Sequence, residues 1–295
     1  MESFLAQYMP VDASEHGPHL DFLSAMVHWL MLVLFIGWGL YFVYALFRFR
    51  SSRNPQANYH GTTSHFSTYT EAGVAVIEVV LLLGFSIPAW SKWVTAPTSA
   101  EHPLEVRVVA EQFAWNIHYP GPDGVFGKAN VDLTSSSNPL GLDPTDPYGK
   151  DDVITLNQLH LEVNRPVLIH LSSKDVIHDF SLPVMRVKQD AIPGIDFPIH
   201  FKPVKLSPDP KSASRWEIAC AQLCGLGHYR MRGQLFVETK EQLNAWLKSM
   251  APQPEAAAAP PTAPAAAPAT TTAPVRAPPP TVPLSTVQST GTGGL

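Results

Sequence analysis

A run of 26 residues without a charged side chain, Phe22–Phe47, constrains this chain more than any other feature. Asp21 and Arg48 flank the run. At a rise of about 1.5 Å per residue, a helix of this length can cross about 30 Å of hydrocarbon with some tilt. A second apolar run extends from residue 74 to 90 and is interrupted only by Glu78. Buried core helices are rarely this long and this free of charge, so the two runs predict a transmembrane helical hairpin.

The placement of Lys and Arg predicts how this hairpin is oriented. The first 47 residues contain neither, whereas Arg48, Arg50 and Arg53 lie in the loop between the two runs. By the positive-inside rule this loop is cytoplasmic, so both termini lie outside, on the periplasmic side of a bacterial cell membrane. The first span is longer than the apolar region of a signal peptide and lacks a basic start, so we expect it to be retained.

The texture of the sequence divides the chain into four segments. Residues 1–20 form a short external lead and 21–95 the hairpin. Residues 96–250 contain short runs rich in Val, Ile and aromatics, broken by Pro and Gly, which predict an all-β sandwich or barrel ending in a short helix, KEQLNAWLKSM. Pro and Ala make up just over half of residues 251–295, so we expect a disordered tail. The predicted fold class is therefore an α+β membrane protein.

Charge excludes some functions. The formal net charge is −5, which argues against a polyanion-binding surface but suits a weakly acidic face for a basic partner. The chain has no Gly-rich phosphate loop and no clustered basic patch, so nucleotide and nucleic-acid binding have no support.

The only two cysteines lie in CAQLCGLGHYRM, residues 220–231. A disulfide is one reading, but it would leave His228 and Met231 unexplained; zinc would have no use for a methionine. Thiolate, imidazole and thioether together are the soft ligands of copper electron-transfer sites. Cys224, His228 and Met231 would supply one loop of such a site, and His178 the remaining donor. Cys220 is left over, and a second thiolate could bridge two copper ions together with Cys224.

Two helices followed by a cupredoxin domain with the spacing His…Cys-x-Gln-x-Cys-x-x-x-His-x-x-Met resemble subunit II of the cytochrome c oxidases, roughly over residues 20–245. DVIHDFSLP and VKQDAIPG carry the resemblance as well. It implies a cupredoxin-like sandwich with a dinuclear copper centre, CuA, whose ligands are His178, Cys220, the Gln222 carbonyl, Cys224, His228 and Met231. The resemblance further implies that electrons from a c-type cytochrome or another periplasmic donor pass through this centre to haem in oxidase subunit I. Oxygen reduction to water, coupled to proton translocation, belongs to that subunit.

The sequence departs from the family pattern in three ways. Many relatives have Glu where this chain has Gln222, and that carboxylate also reaches a magnesium ion; a neutral amide is a weaker ligand for a hard cation, so we expect magnesium to be weakly held or absent. The first tryptophan of the family's electron-accepting aromatic patch is Phe113 here, so the exposed point at which electrons enter is Phe113, Trp115 or Tyr119. No Cys-x-x-Cys-His is present, so the tail carries no covalent haem.

Several acidic residues have weaker assignments. Glu71 and Glu78 lie seven residues apart on the second span and share a helix face. The resemblance places Glu71 at the mouth of a proton channel into subunit I, whereas Glu78 is either part of that path or a protonated structural residue. Asp175 either attracts a cationic cytochrome or is an ordinary solvated residue. Lys188 and Asp190 match the family's KxDAIPG, a segment expected to contact subunit I.

Two other functions remain open at this stage. A CuA-bearing subunit of a nitric oxide reductase would have a similar site but a different catalytic partner. A membrane-anchored copper-delivery protein would store or transfer the metal and accept no electrons. A quinol oxidase subunit II shares the fold but has lost these ligands, so the intact set argues against that function.

Overall fold

The computed structural model describes residues 8–56, 59–60, 64–94, 102–209, 211–212 and 215–251. Two long apolar helices precede the β-domain: α1, Gly17–Arg48, and a second helix made of α2, Phe66–Leu81, a π-helical turn, Leu82–Ser86, and α3, Ile87–Val94. Both are long and apolar enough to cross a membrane, and none of the most apolar stretch of either is buried within the chain. The prediction of two membrane spans is confirmed.

In the part of the chain after 101 that the structure describes, ten strands form two five-stranded sheets. They are β1, Leu104–Glu111; β2, Ala114–Tyr119; β3, Val153–Leu156; β4, Gln158–Glu162; β5, Val167–Ser173; β6, His178–Leu182; β7, Val187–Ala191; β8, Phe197–Phe201; β9, Trp216–Cys220; and β10, Arg232–Glu238. The first sheet has the order β3-β2-β1-β5-β8 and the second β4-β10-β9-β6-β7. The predicted β-sandwich is therefore confirmed, and both sheets mix parallel and antiparallel pairs.

The core lies between the two sheets and follows from the alternation of the strands. Along β1 and β5 every second side chain is buried, including Val106, Val108, Ile169 and Leu171. Each such side chain contributes about 1.5–3 kcal/mol when fully buried. The predicted terminal helix is also present as α4, Lys240–Met250, and begins with a capping box.

The lead before α1 packs against the β-domain. The Ala13 amide donates to the Val184 carbonyl at 2.8 Å, and the Val204 amide donates to the Ala13 carbonyl at 2.8 Å. Arg186, just before β7, forms a two-pronged ion pair with Asp21 in α1, at 2.7 and 2.9 Å. These contacts connect the first membrane helix directly to the sandwich.

Two predicted boundaries differ from the structure or lie beyond it. The first helix begins at Gly17, four residues before the predicted start of the hairpin at 21, because Pro18 suits the first turn of a helix. The predicted boundary at 95/96 and the Pro/Ala-rich tail, apart from Ala251, lie outside the described residues.

Candidate metal centre

The predicted ligands gather at one end of the second sheet. His178 is the first residue of β6 and Cys220 the last of β9, so the strand pairing itself brings these two together. A loop of eleven residues, 221–231, then connects β9 to β10, with a short 3-10 turn at His228–Arg230. The six predicted donors lie on two segments, the start of β6 and the stretch from the end of β9 through the loop. They are His178, Cys220, Gln222, Cys224, His228 and Met231.

The donor atoms approach one another closely. The Nδ1 of His178 lies 3.2 Å from the Met231 Sδ and 3.9 Å from the Cys220 Sγ. The Cys224 Sγ lies 3.8 Å from both the Cys220 Sγ and the Met231 Sδ, and 3.6 Å from the His228 Nδ1. Nitrogen and sulfur ligands about 2.0–2.3 Å from a metal ion are roughly 3.3–3.8 Å from each other in a tetrahedral site. The separations are therefore those expected of atoms that share metal ions.

The donor set itself fits copper. Each thiol is free, and ligand atoms of His178, Cys220 and Cys224 lie within 4.8 Å of one another. The Gln222 carbonyl oxygen lies 3.2 Å from the Cys220 Sγ and adds one oxygen donor at the edge. Two thiols, two imidazoles and a thioether form a soft set that suits copper better than the hard cations calcium or magnesium.

Burial protects this set from water. His178 and Met231 are almost fully buried, Cys224 is 4% exposed, and Cys220 and His228 are half-buried. Burial, together with the neighbouring Cys220 thiol, raises the pKa of Cys224 to about 11. In the metal-free chain Cys224 is therefore a thiol at neutral pH, and metal binding must release its proton.

Asp175 orients His178. Its Oδ1 lies 2.8 Å from the His178 Nε2, and its Oδ2 accepts a hydrogen bond from the Gln112 amide at 2.7 Å. Burial alone would raise the pKa of Asp175, but the bonds from His178 and from the Gln112 and Val176 amides lower it. Because the carboxylate fixes Nε2, the Nδ1 of His178 faces the sulfur atoms. Asp175 itself is exposed, so this contact with His178 adds to the two roles weighed from the sequence, which stay predictions.

The structure corrects the prediction about the aromatic residues. Trp115 is 0% exposed and Tyr119 1% exposed, so neither is an exposed point at which electrons enter. The Trp115 ring packs edge-on against the rings of His178 and Phe180, with centroids 6.2 and 5.4 Å away. Phe113 remains partly exposed and lies over the ligand loop. Of the three predicted aromatics, only Phe113 retains the exposure that the prediction requires.

The acidic residues of the second span, Glu71 and Glu78, lie on α2, which precedes the whole β-domain in the sequence. Glu71 is exposed on α2 and accepts a hydrogen bond from Ser67 Oγ at 2.7 Å. Glu78 is exposed on the same helix.

Two further residues lie close to the ligands. The Nζ of Lys188, on β7, lies 3.8 Å from the carboxylate of Asp179, the residue after His178. Sequence reasoning missed Gln112, although its position directly before Phe113 in EQFAW is a signal that could have drawn attention to it.

Comparisons with known proteins identify the family. The model of "Cytochrome C oxidase subunit II, periplasmic domain" matches residues 104–235. The chain is 32% identical over 231 residues to the alternative cytochrome c oxidase subunit 2 of Bradyrhizobium diazoefficiens, covering 78% of this chain and 79% of that protein. It is 25% identical over 255 residues to cytochrome c oxidase subunit 2 of Cereibacter sphaeroides, covering 78% of each.

A solved structure is also similar. The periplasmic domain of subunit II of cytochrome oxidase from Bradyrhizobium japonicum is 26% identical, with a TM-score of 0.35, and the match covers 50% of this chain and 92% of that one. The match to the Bradyrhizobium diazoefficiens protein, at 32% identity and with more than two thirds of each chain covered, decides the assignment. The chain belongs to the cytochrome c oxidase subunit II family and is a subunit of a haem–copper oxidase.

Proposed function

We propose that this chain is the subunit through which electrons enter the oxidase, and that it holds a dinuclear CuA centre. Membership of the family implies copper and partnership with other oxidase subunits. The observation that carries the finer proposal is the convergence of two thiols on two imidazoles. His178 lies beside the Cys220 Sγ and His228 beside the Cys224 Sγ, so each imidazole has its own thiol. Two such pairs, with the sulfurs 3.8 Å apart, suit two copper ions bridged by both cysteines.

Each proposed ligand has a defined part in the site. Cys220 and Cys224 would bridge, His178 and His228 would each bind one ion, and Met231 and the Gln222 carbonyl would be the outer ligands. When bound, the dicopper centre supplies one-electron storage. The chain would supply a rigid scaffold: strand ends place His178 and Cys220, and Asp175 holds His178 in one orientation. Burial would keep water from His178, Cys224 and Met231. Such rigidity keeps the geometry similar in both redox states, which favours rapid transfer.

Surroundings of the loop support contact with other proteins. Leu226 is 97% exposed, and Leu223 and Tyr229 are mostly exposed as well. Exposed apolar side chains concentrated on a ligand-bearing loop are typical of interaction sites. We assign this end of the sandwich to contact with the oxidase partners. In this proposal Phe113 accepts electrons from a c-type cytochrome or an equivalent donor, and haem in subunit I receives them.

The membrane arrangement completes the proposal. The hairpin of 21–95 crosses the bacterial cell membrane with the Arg48–Arg53 loop in the cytoplasm, and the domain of 96–250 lies on the periplasmic side. Glu71 would then lie at the cytoplasmic end of its span, near a proton channel. Oxygen chemistry would take place in subunit I.

Metal analysis and electron paramagnetic resonance (EPR) test the proposal directly. The full chain in detergent, reconstituted with copper, should bind about two ions per chain and give a spectrum of one electron shared by two copper nuclei. Cys220→Ser should abolish the shared spectrum, because a hydroxyl is a poor bridge for a soft metal. A single copper with a mononuclear spectrum, or bound copper that no donor reduces, would reject the proposal; the second result would favour copper delivery.

A further inference from the structure

One residue outside the ligand set contacts both segments that carry the ligands. The Gln112 side chain donates through Nε2 to the Cys224 carbonyl at 2.6 Å. Its backbone amide donates to the Asp175 Oδ2 at 2.7 Å, and the Asp175 Oδ1 holds the His178 Nε2. We propose that Gln112 is a positioning residue of the metal centre, which fixes the Cys224 loop relative to His178. The inference rests on the proposed function only for the identity of the bound metal.

The bonds of Gln112 connect segments that are far apart in the sequence. Its two bonds span 63 and 112 residues of sequence and join the β1–β2 turn to both ligand segments. One bond fixes the backbone of a proposed bridging cysteine, and the other fixes the carboxylate that orients a proposed histidine ligand. Outer contacts of this kind hold metal ligands in place and tune the metal. We refer to Gln112, Asp175 and the Cys224 carbonyl as the Gln112 brace.

Glycines in the ligand loop make room for the brace. Gly225 has φ +135°, which side-chain-bearing residues rarely adopt, and a Cβ there would lie 2.8 Å from the Gln112 Nε2 and 3.2 Å from the Phe113 ring. A Cβ on Gly227 would overlap the Phe113 ring. The loop therefore lies directly beneath Gln112 and Phe113. Because these two residues are consecutive, the brace also fixes the partly exposed aromatic relative to the metal ligands.

Substitution with glutamate separates a hydrogen bond from simple packing. Gln112→Glu keeps the shape of the side chain but replaces the N–H donor with a carboxylate oxygen that faces the Cys224 carbonyl. Gln112→Ala removes the bond without introducing this repulsion. The matched control is Gln158→Ala. Gln158 is exposed on β4, an edge strand of the sheet that contains His178, and two strands separate it from β6.

Copper retention, the EPR spectrum and the midpoint potential are measured on the copper-loaded full chain in detergent. Gln112→Ala should lose copper to a chelator roughly fivefold faster than wild type, as expected for one hydrogen bond, and Gln112→Glu faster still. Both should change the copper hyperfine splitting and the potential, whereas Gln158→Ala should change neither. If Gln112→Glu retains copper as wild type does, with the same spectrum and potential, the brace is wrong.

A double-mutant cycle tests whether the two bonds act together. If they form one brace, the effects of Gln112→Ala and Asp175→Asn on copper loss should be non-additive, and strictly additive effects would show two independent contacts. Failure of the proposed function is recognised separately, because wild type would then lack the dicopper spectrum. In that case thermal unfolding of the metal-free chain decides: the brace predicts that Gln112→Glu unfolds at a lower temperature than Gln112→Ala, and the reverse order overturns it.

Discussion

Replacement of Met231 by leucine separates the sulfur atom from the volume it occupies. Met231 is 1% exposed, and its Sδ lies 3.2 Å from the His178 Nδ1 and 3.8 Å from the Cys224 Sγ. Leucine has a similar volume, so the loss of stability should stay below about 1.5 kcal/mol, or about 6 °C in the unfolding temperature of a domain of this size. Met231→Ala would instead leave a cavity and cost about 2–5 kcal/mol.

Met231→Leu should change the properties of the bound copper more than the stability of the fold. Met231→Leu removes one outer donor, so we expect both coppers to remain bound and the midpoint potential to rise, because loss of a donor disfavours the more highly charged state. The assay combines unfolding of the metal-free chain, copper analysis and a potentiometric titration of the loaded chain. An unchanged potential would show that Met231 only packs. Loss of one copper with unchanged metal-free stability would show that Met231 is a principal ligand, which also refutes the reasoning.

Four other substitutions test the remaining parts of the molecule. Glu71→Gln should slow steady-state oxygen consumption but leave copper reduction by the donor unchanged; wild-type turnover across pH would remove Glu71 from proton uptake. Gln222→Glu should raise magnesium or manganese occupancy of the assembled complex without altering the copper spectrum, because a carboxylate is the better ligand for a hard cation; equal occupancy contradicts this. Arg186→Gln breaks a partly buried ion pair with Asp21 and should cost about 2–4 kcal/mol in unfolding; a loss below about 1 kcal/mol would reduce it to a surface pair. Burial lowers the pKa of His160 below 6.5, so stability should fall as pH drops below about 6.5; His160→Phe should weaken that dependence, and an equal slope would refute it.

The features that sequence predicted well are those set by neighbours along the chain. A membrane span needs only a long uncharged run, and α1 provides it. Five of the six proposed ligands, from Cys220 to Met231, lie within one twelve-residue stretch, so their spacing already limits which metal they suit. His178 was predicted as a further donor from an upstream strand, but the pairing of β6 with β9, which brings it close to Cys220, was not predicted.

The burial of the aromatic residues was missed although β2 alternates between apolar and polar residues, because the resemblance to an exposed aromatic patch was followed instead. Trp115, Ile117 and Tyr119 share one face by the two-residue period of a strand, and the apolar Ile117 indicates that this face is the core. Asn116 and His118, on the other face, are buried as well, which the alternation alone does not predict. The segment between β2 and β3 covers that face: the Phe126 ring lies 5.0 Å from the ring of His118.

The contacts that sequence could not supply are those between distant segments. Gln112 belongs to no local ligand pattern, and its bonds to Asp175 and Cys224 exist only because the β1–β2 turn folds over the ligand loop. Likewise, nothing in the first 20 residues indicates that Ala13 is fully buried against the sandwich. Such contacts depend on the packing of the whole domain, which a single sequence does not encode in any short pattern.

The attachment of α1 to the sandwich has a consequence for electron delivery. β6 begins at His178, and the turn that follows this strand leads to Arg186, which is bound to Asp21 in α1. The strand spans roughly 13 Å, so a short path through β6 and the turn after it joins a proposed copper ligand to the membrane helix. We expect this path to limit hinge motion, so that the fold itself would orient the proposed metal centre over the membrane. Arg186→Gln should therefore slow electron transfer from copper to haem in the assembled oxidase while leaving the copper spectrum and potential unchanged. An unaltered transfer rate would show that contacts with the other subunits alone set this orientation.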